Sequence, residues 1–148
     1  MSHTIRQYRD SDLNGVLSAW ESASKIAHPF LTPEFMDSER HNIPNMYLPN
    51  ADTWVADLDG AIIGFIALIG DEVGAIFVDP VHQGAGVGRS LMDKACDLCG
   101  DLELGVFEAN SIGRGFYEHY GFKFVNEVFH EASGHNIFNL KFANPKKG

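Results

Sequence analysis

Polar and apolar residues alternate from Thr4 to Arg9 (TIRQYR), a period of two that predicts a first strand. Asp10, Ser11 and Asp12 are helix-start residues, and Leu13, Val16, Leu17, Trp20 and Ala23 then recur at helical spacing. A second, shorter helix is predicted between Thr32 and His41, with Pro33 in its first turn, and Pro44 and Pro49 bound a loop. In DTWVADLDGAIIGFIALIG two apolar strands flank Asp59-Gly60, a dipeptide suited to a type I′ hairpin turn. A strand follows from Glu72 to Asp79, then a helix from Val87 to Leu98 that Gly100 ends. Leu102 to Glu108 reads as a strand and Ser111 to Tyr120 as a short helix closed by Gly121. FKFVNEVFH and NIFNLKF form a final hairpin around Ala132 to His135. The predicted order is β-α-α-β-β-β-α-β-α-β-β, without repeat or linker. Only the tail, 143–148, is expected to be loose and to fray.

A chain of 148 residues, 45% hydrophobic, fits one domain, 1–148, with a sizeable core. No apolar run approaches the roughly 18 residues that span a bilayer, and MSHTIRQYRD does not resemble a signal peptide. A cytoplasmic protein with no membrane partner is therefore expected. The net charge of −9 argues against nucleic-acid binding, which needs a basic face, and favours the approach of cationic substrates. Cys96 and Cys99 stand in C-x-x-C spacing, but one such pair does not complete a four-ligand zinc site and no histidine pair sits at finger spacing. They are read as ordinary helix residues, and no metal is expected.

The chemistry concentrates in VDPVHQGAGVGRSLMDKA, Val78 to Ala95, where a glycine-rich turn feeds a helix N-terminus. Glycines let backbone amides approach an anion closely, and the helix end adds a partial positive charge. Asp79 and Asp93 offset Arg89 and Lys94, so oriented amides rather than a basic patch must hold the anion. A P-loop is excluded, because its first glycine would fall at Gln83 and its lysine at Arg89. The dinucleotide fingerprint fails as well, because Arg89 occupies its last glycine and the turn lies mid-chain.

A third pattern, Q/R-x-x-G-x-G/A, is met by Gln83-Gly84-Ala85-Gly86-Val87-Gly88. Here it resembles the acetyl-CoA site of the GNAT superfamily of N-acetyltransferases. NSIGRGFYEHYGF, Asn110 to Phe122, is similar to a later segment of that family. IRQYRDSDL and the stretch from Ala19 to Leu31 resemble small bacterial members of the YjaB type. The resemblance implies an α+β (three-layer α/β) fold with a mixed central sheet of about seven strands and about four helices. The parallel strands Glu72–Asp79 and Leu102–Glu108 would splay at the cofactor site. Acetyl-CoA would be the cosubstrate. Gln83, Gly84, Ala85, Gly86, Val87, Gly88, Arg89 and Ser90 would hold its phosphates, the backbone at Phe77 and Val78 would pair with its pantetheine arm, and Asn110 would hydrogen-bond that arm.

The activity implied is acetyl transfer to a primary amine of a small molecule, peptide or protein, by a monomer or homodimer. The alternative is a catalytically idle acyl-CoA-binding or sensing module. A lysine-like amine with pKa near 10.4 is neutral in about one molecule in a few thousand at pH 7, a cost of roughly 4.6 kcal/mol. Glu72 is the candidate base, through water, with Asp71 and Glu103 as weaker candidates. Tyr117 is the candidate donor to the leaving thiolate. Trp20, His28 and Phe30, with Phe35, His41 and Tyr47 nearby, would form the acceptor wall. Gly113 stands where the family often has alanine, and with Gly115 it is expected to loosen the later helix.

Overall fold

In the computed structural model, which describes residues 2–145, seven strands form one mixed sheet. The strands are β1 (Thr4–Gln7), β2 (Asp52–Leu58), β3 (Ala61–Ile69), β4 (Glu72–Val78), β5 (Leu102–Phe107), β6 (Lys123–His130) and β7 (His135–Phe142). The helices are α1 (Leu13–Ala27), α2 (Pro33–Asn42), α3 (Val87–Cys99) and α4 (Ser111–Tyr120). Strand order across the sheet is β1-β2-β3-β4-β5-β7-β6. All neighbours are antiparallel except β4 and β5, so the expected element order and mixed α+β fold are met.

The apolar run of β3 is explained by burial on both faces. Ile66 joins a core under α3 with Leu91, Met92, Ala95, Leu104 and Leu140. Phe65 points the other way, into a cluster with Val16, Ala19 and Trp20 of α1. Asp59 and Gly60 both have positive φ, 53° and 93°, as the hairpin turn between β2 and β3 requires.

Several expectations are corrected. β1 stops at Gln7 rather than Arg9, because the Arg9 amide turns to donate to Asp12 Oδ2 at 2.9 Å. The predicted Pro44–Pro49 loop is instead a wide helical turn, Ile43–Tyr47, followed by a 3-10 turn, Leu48–Asn50. Each proline sits at the start of its turn, where its missing N–H costs nothing, and buried Ile43 anchors the segment. Of the expected loose tail, 146–148 lies outside the described residues, and the Asn144 amide is tied to Asp101 Oδ1 at 3.0 Å. Cys96 and Cys99 form no disulfide, and their thiols contact the Tyr120 hydroxyl and the Gly70 carbonyl respectively. Among the described residues no helix is long and apolar enough to cross a membrane, and no group of three His, Cys, Asp or Glu is placed to hold a metal.

One ion-pair network locks the first strand to the first helix. Arg6 donates to both carboxylate oxygens of Asp12, at 2.8 and 2.9 Å, and to Asp57 at 2.9 Å. The Arg6 hydrogen bonds hold the buried Asp12 carboxyl below the usual range. A carboxyl with a depressed folded pKa stabilises fully above its unfolded pKa, near 4, and loses that contribution as pH falls through the folded value. Asp12→Asn is therefore expected to cost about 2 kcal/mol at pH 7. The gap to wild type should narrow below about pH 4, where Asp12 protonates. Urea denaturation at pH 7 and pH 3 checks this, and an equal gap at both values would refute it.

The feature that makes a site is the parting of β4 from β5. They share one register pair, Glu72 with Glu103. Two residues on, the β3–β4 register slips: Ala67 pairs with Ala75 and Leu68 with Val73, leaving Gly74 as an extra residue. Such a bulge bends its strand and re-aims the residues beyond it. Beyond the pair of Glu72 with Glu103 the two strands share no register, and residues 74–78 of β4 and 104–107 of β5 line a cavity between them.

Candidate active site

The gap opens into a cavity of about 940 Å3. At one end lies the glycine turn. Gly84 and Gly86 have φ of 87° and 81°, and Gly86 is the residue before the first turn of α3. No side chain caps that helix, and a Cβ placed on either glycine would meet open space. The first amides of α3 are thus left for something in the cavity. The turn is braced from behind. Asp79 accepts from the Val81 amide, Gln83 Nε2 donates to the Val78 carbonyl at 3.1 Å, and the Ser90 hydroxyl donates to the Gly86 carbonyl at 2.9 Å. Gly88 lets the Phe116 ring approach, since a Cβ there would stand 3.2 Å from it.

Gln83, Gly84, Gly86, Val87, Gly88 and Arg89 line the cavity, as do Phe77 and Val78. Ala85 and Ser90 do not. The Arg89 guanidinium lies over the Tyr120 ring, 5.5 Å from its centroid. An extended acyl chain with a phosphate end suits this shape. β4 contributes Gly74, Ala75, Ile76, Phe77 and Val78 to one wall of the cavity.

Tyr117 faces the cavity from α4, beside Phe116 and Phe122. Its ring keeps some accessible surface because the cavity admits solvent, yet protein surrounds it closely enough that burial alone pushes its pKa up. Asn110 is buried at the N-terminus of α4. Its Oδ1 accepts from the Gly113 amide at 2.9 Å, and its Nδ2 stands 3.3 Å from His28 Nε2. Gly113 has a definite reason here, because a Cβ at that position would collide with the Asn110 side chain. Gly113 is thus fitted to the Asn110 cap, whereas Gly115 has open space around it.

Trp20 and His28 line the cavity, and so do Phe35 and Tyr47. The His28 ring bridges the mouth of the gap, 6.1 Å from Phe77 and 5.2 Å from Phe107. Burial lowers its pKa to about 4, which makes it a neutral group at pH 7. Phe30 stands behind the wall, 5.8 Å from His28 and 4.8 Å from His135. His41 is not part of the lining, and neither are Asp71 and Glu103. Glu72 is exposed at the narrow end of the splay and also lies outside the lining.

Among the lining residues that went unread in the sequence are Ser24, Glu39, Phe107 and His130. Phe35, Met36, Glu39 and Ile43 share one helical face, so the 3–4 spacing was a signal for Glu39. The Ser24 hydroxyl is buried without a hydrogen-bond partner. Phe107 and His130 come from distant strand ends and carry no local pattern.

A model of the acetyltransferase (GNAT) domain matches residues 49–124. The chain belongs to the GNAT superfamily of acetyltransferases. It is 31% identical over 142 residues to the peptidyl-lysine N-acetyltransferase YjaB of Escherichia coli strain K12, covering 94% of this chain and 96% of that protein. The solution structure of apo-form YjaB from Escherichia coli superposes with a TM-score of 0.87 at 28% identity, over 97% of this chain and 99% of that one. The fold is also shared, at a TM-score of 0.76 and 20% identity, with the PaiA N-acetyltransferase of Thermoplasma acidophilum, solved in complex with coenzyme A, over 97% of this chain and 99% of that one. This GNAT chain is an acyltransferase that moves an acetyl group from acetyl-CoA to an amine, and the idle binding module is not favoured.

Proposed function

We propose that this GNAT protein acetylates lysine side chains of peptides or proteins. The observation that carries the reading is the single cavity joining the glycine turn and Tyr117 to a wall built from α1, α2 and the end of β6. The bound thioester supplies the activated acetyl group. The amides of the glycine turn hold the phosphates, the backbone of β4 orients the arm, and the Tyr117 hydroxyl donates a hydrogen bond toward the departing sulfur. The acceptor reaches the thioester from the α1–α2 side, past Trp20 and His28. The protein's negative charge favours a cationic acceptor over a neutral one. The name carried by the Escherichia coli relative supports lysine as that acceptor.

An acceptor screen tests this: lysine peptides, peptides with a free α-amine but no lysine, and small polyamines, with products read by mass spectrometry. Acetyl on lysine Nζ is the expected product. Acetylation confined to the polyamines or the α-amines would refute the reading. Proton removal is assigned to Glu72 through water, since its carboxylate lies outside the cavity. Glu72→Gln is expected to slow turnover about a hundredfold at pH 7 and much less at pH 9.5, where more acceptor is already neutral. A defect of equal size at both values would move the base elsewhere.

A further inference from the structure

At the acceptor end, opposite the glycine turn, the cavity meets a second, smaller hollow of about 470 Å3. Phe35, Glu39, Tyr47 and His130 line both, so these side chains form the neck between them. Around the smaller hollow also stand Thr32, Glu34, Ser38, Asn42 and Ala132, from the N-cap and body of α2 and the β6–β7 turn. α2 itself is clamped. Arg40, the residue after Glu39, bonds Glu21 of α1 at 2.6 Å and Asp37 at 2.7 Å, and lies over the Trp20 ring. The clamp turns Arg40 toward α1 and leaves its neighbour Glu39 facing the neck.

Glu39 is unusual in what it lacks. Its hydrogen bond comes from the Tyr47 hydroxyl, and the charged group acting on it is His130. His130 is itself turned to Ser133, whose hydroxyl is 2.8 Å from its Nδ1. Among the described residues, Arg89 at the glycine turn is the one arginine in the lining of either hollow, and neither lining contains a lysine. A half-buried carboxylate without a fixed cation pays for desolvation that a neutral hydroxyl only partly offsets. Burial accordingly pushes its pKa up. An ammonium group arriving in the neck would restore the missing charge.

We propose that Glu39, braced by Tyr47, is the seat for the acceptor's ammonium group, and so the residue that selects a cationic amine at the neck of this cavity. The proposal rests on the lysine reading above for its natural ligand, and on the neck geometry for the residue. Phe35 and the Tyr47 ring flank the seat with apolar surface suited to the methylenes of a lysine. Glu39 holds the charged amine on arrival. Removal of the proton and loss of thiolate take place further in and do not require it.

The test compares wild type with Glu39→Gln, which keeps the shape and a hydrogen bond to Tyr47 but removes the charge. Three quantities are measured: KM and kcat for a lysine peptide, KM for acetyl-CoA, and the inhibition constant of the same peptide with norleucine in place of lysine. Loss of a charge-assisted contact is expected to raise the lysine-peptide KM roughly tenfold or more. kcat and the acetyl-CoA KM should stay within about threefold, and the norleucine peptide should inhibit equally, because it has no ammonium to lose. Glu39→Asp should recover part of the affinity. An unchanged lysine-peptide KM overturns the proposal. So does an equal weakening of lysine and norleucine peptides, which would make Glu39 a packing residue. A loss in kcat alone overturns it too, by moving Glu39 to the chemical step. If wild type acetylates a different cationic amine and no lysine peptide, the lysine reading fails by itself, and the KM for that amine in Glu39→Gln decides the seat.

Discussion

Tyr117→Phe is expected to lower single-turnover acetylation about a hundredfold while acetyl-CoA affinity stays within a few-fold. The variant removes one oxygen and keeps the ring that packs on Phe116 and Phe122. Affinity is expected to be spared because the contacts proposed for the thioester run along the glycine turn and β4. An ordinary tyrosine pKa of about 10 already exceeds a thiol's, about 8.5. Burial raises Tyr117 further, so complete proton transfer to the thiolate is more uphill still. In the proposed role the hydroxyl therefore donates a hydrogen bond to charge that develops on sulfur rather than giving up its proton outright. Tyr120→Phe is the matched control. Its hydroxyl donates to Asp93 at 2.6 Å and contacts Cys96, and Tyr120 is absent from the cavity lining. That variant should lose about 1 kcal/mol of stability and no turnover. A crippled Tyr120→Phe with an active Tyr117→Phe would reverse the assignment, and two active variants would remove the donor altogether.

Gly86→Glu is expected to abolish the rise in melting temperature that acetyl-CoA gives the wild type by mass action. Two effects act together. Gly86 holds φ at 81°, where a side chain costs about 1–2 kcal/mol. The space before it is open, so the new carboxylate would occupy the region that the first amides of α3 face. Gly86→Asn separates the two effects, because asparagine tolerates the left-handed conformation and adds no charge. It should retain most of the shift. Differential scanning fluorimetry with and without acetyl-CoA reads both variants, and a full shift in Gly86→Glu would place the phosphates elsewhere.

The element order could be read from the chain because each element carries its own local signal. Strands alternate, α1 and α3 keep one apolar face, and Gly60, Gly100 and Gly121 mark the stops. One error has an equally local cause, and one miss does not. Pro44 and Pro49 look like breakers, yet each begins a helical turn that it can enter. The bulge at Gly74 is a property of two strands at once, visible only when Leu68 is found opposite Val73 and Ala67 opposite Ala75. The family resemblance implied the splay without its mechanism.

The site divides in the same way. The glycine turn is contiguous in sequence, and it stands at the start of α3 facing the cavity, with Ala85 and Ser90 outside the lining. Asn110 was legible as important, but its engagement with Gly113 and His28 depends on α1 reaching across to α4. Glu39, Phe107 and His130 meet from a helix and two strand ends, and no window of sequence contains them together. Glu72 shows the converse: its position in a strand was legible, but its distance from the lining was not.

The one-rung junction between β4 and β5 divides the sheet into two ribbons, β1 to β4 and β5 to β7 with β6. Side chains of α3 pack across the junction, but beyond Glu72 and Glu103 no ladder stitches it. On the placement proposed above, acetyl-CoA in the gap would also complete the sheet. Each tenfold rise of cosubstrate above its dissociation constant adds about 1.4 kcal/mol to the folded state. In a cell, the lifetime of this protein against proteases should then follow the acetyl-CoA pool: a starved cell would lose the enzyme through its open seam, and a well-fed one would keep it.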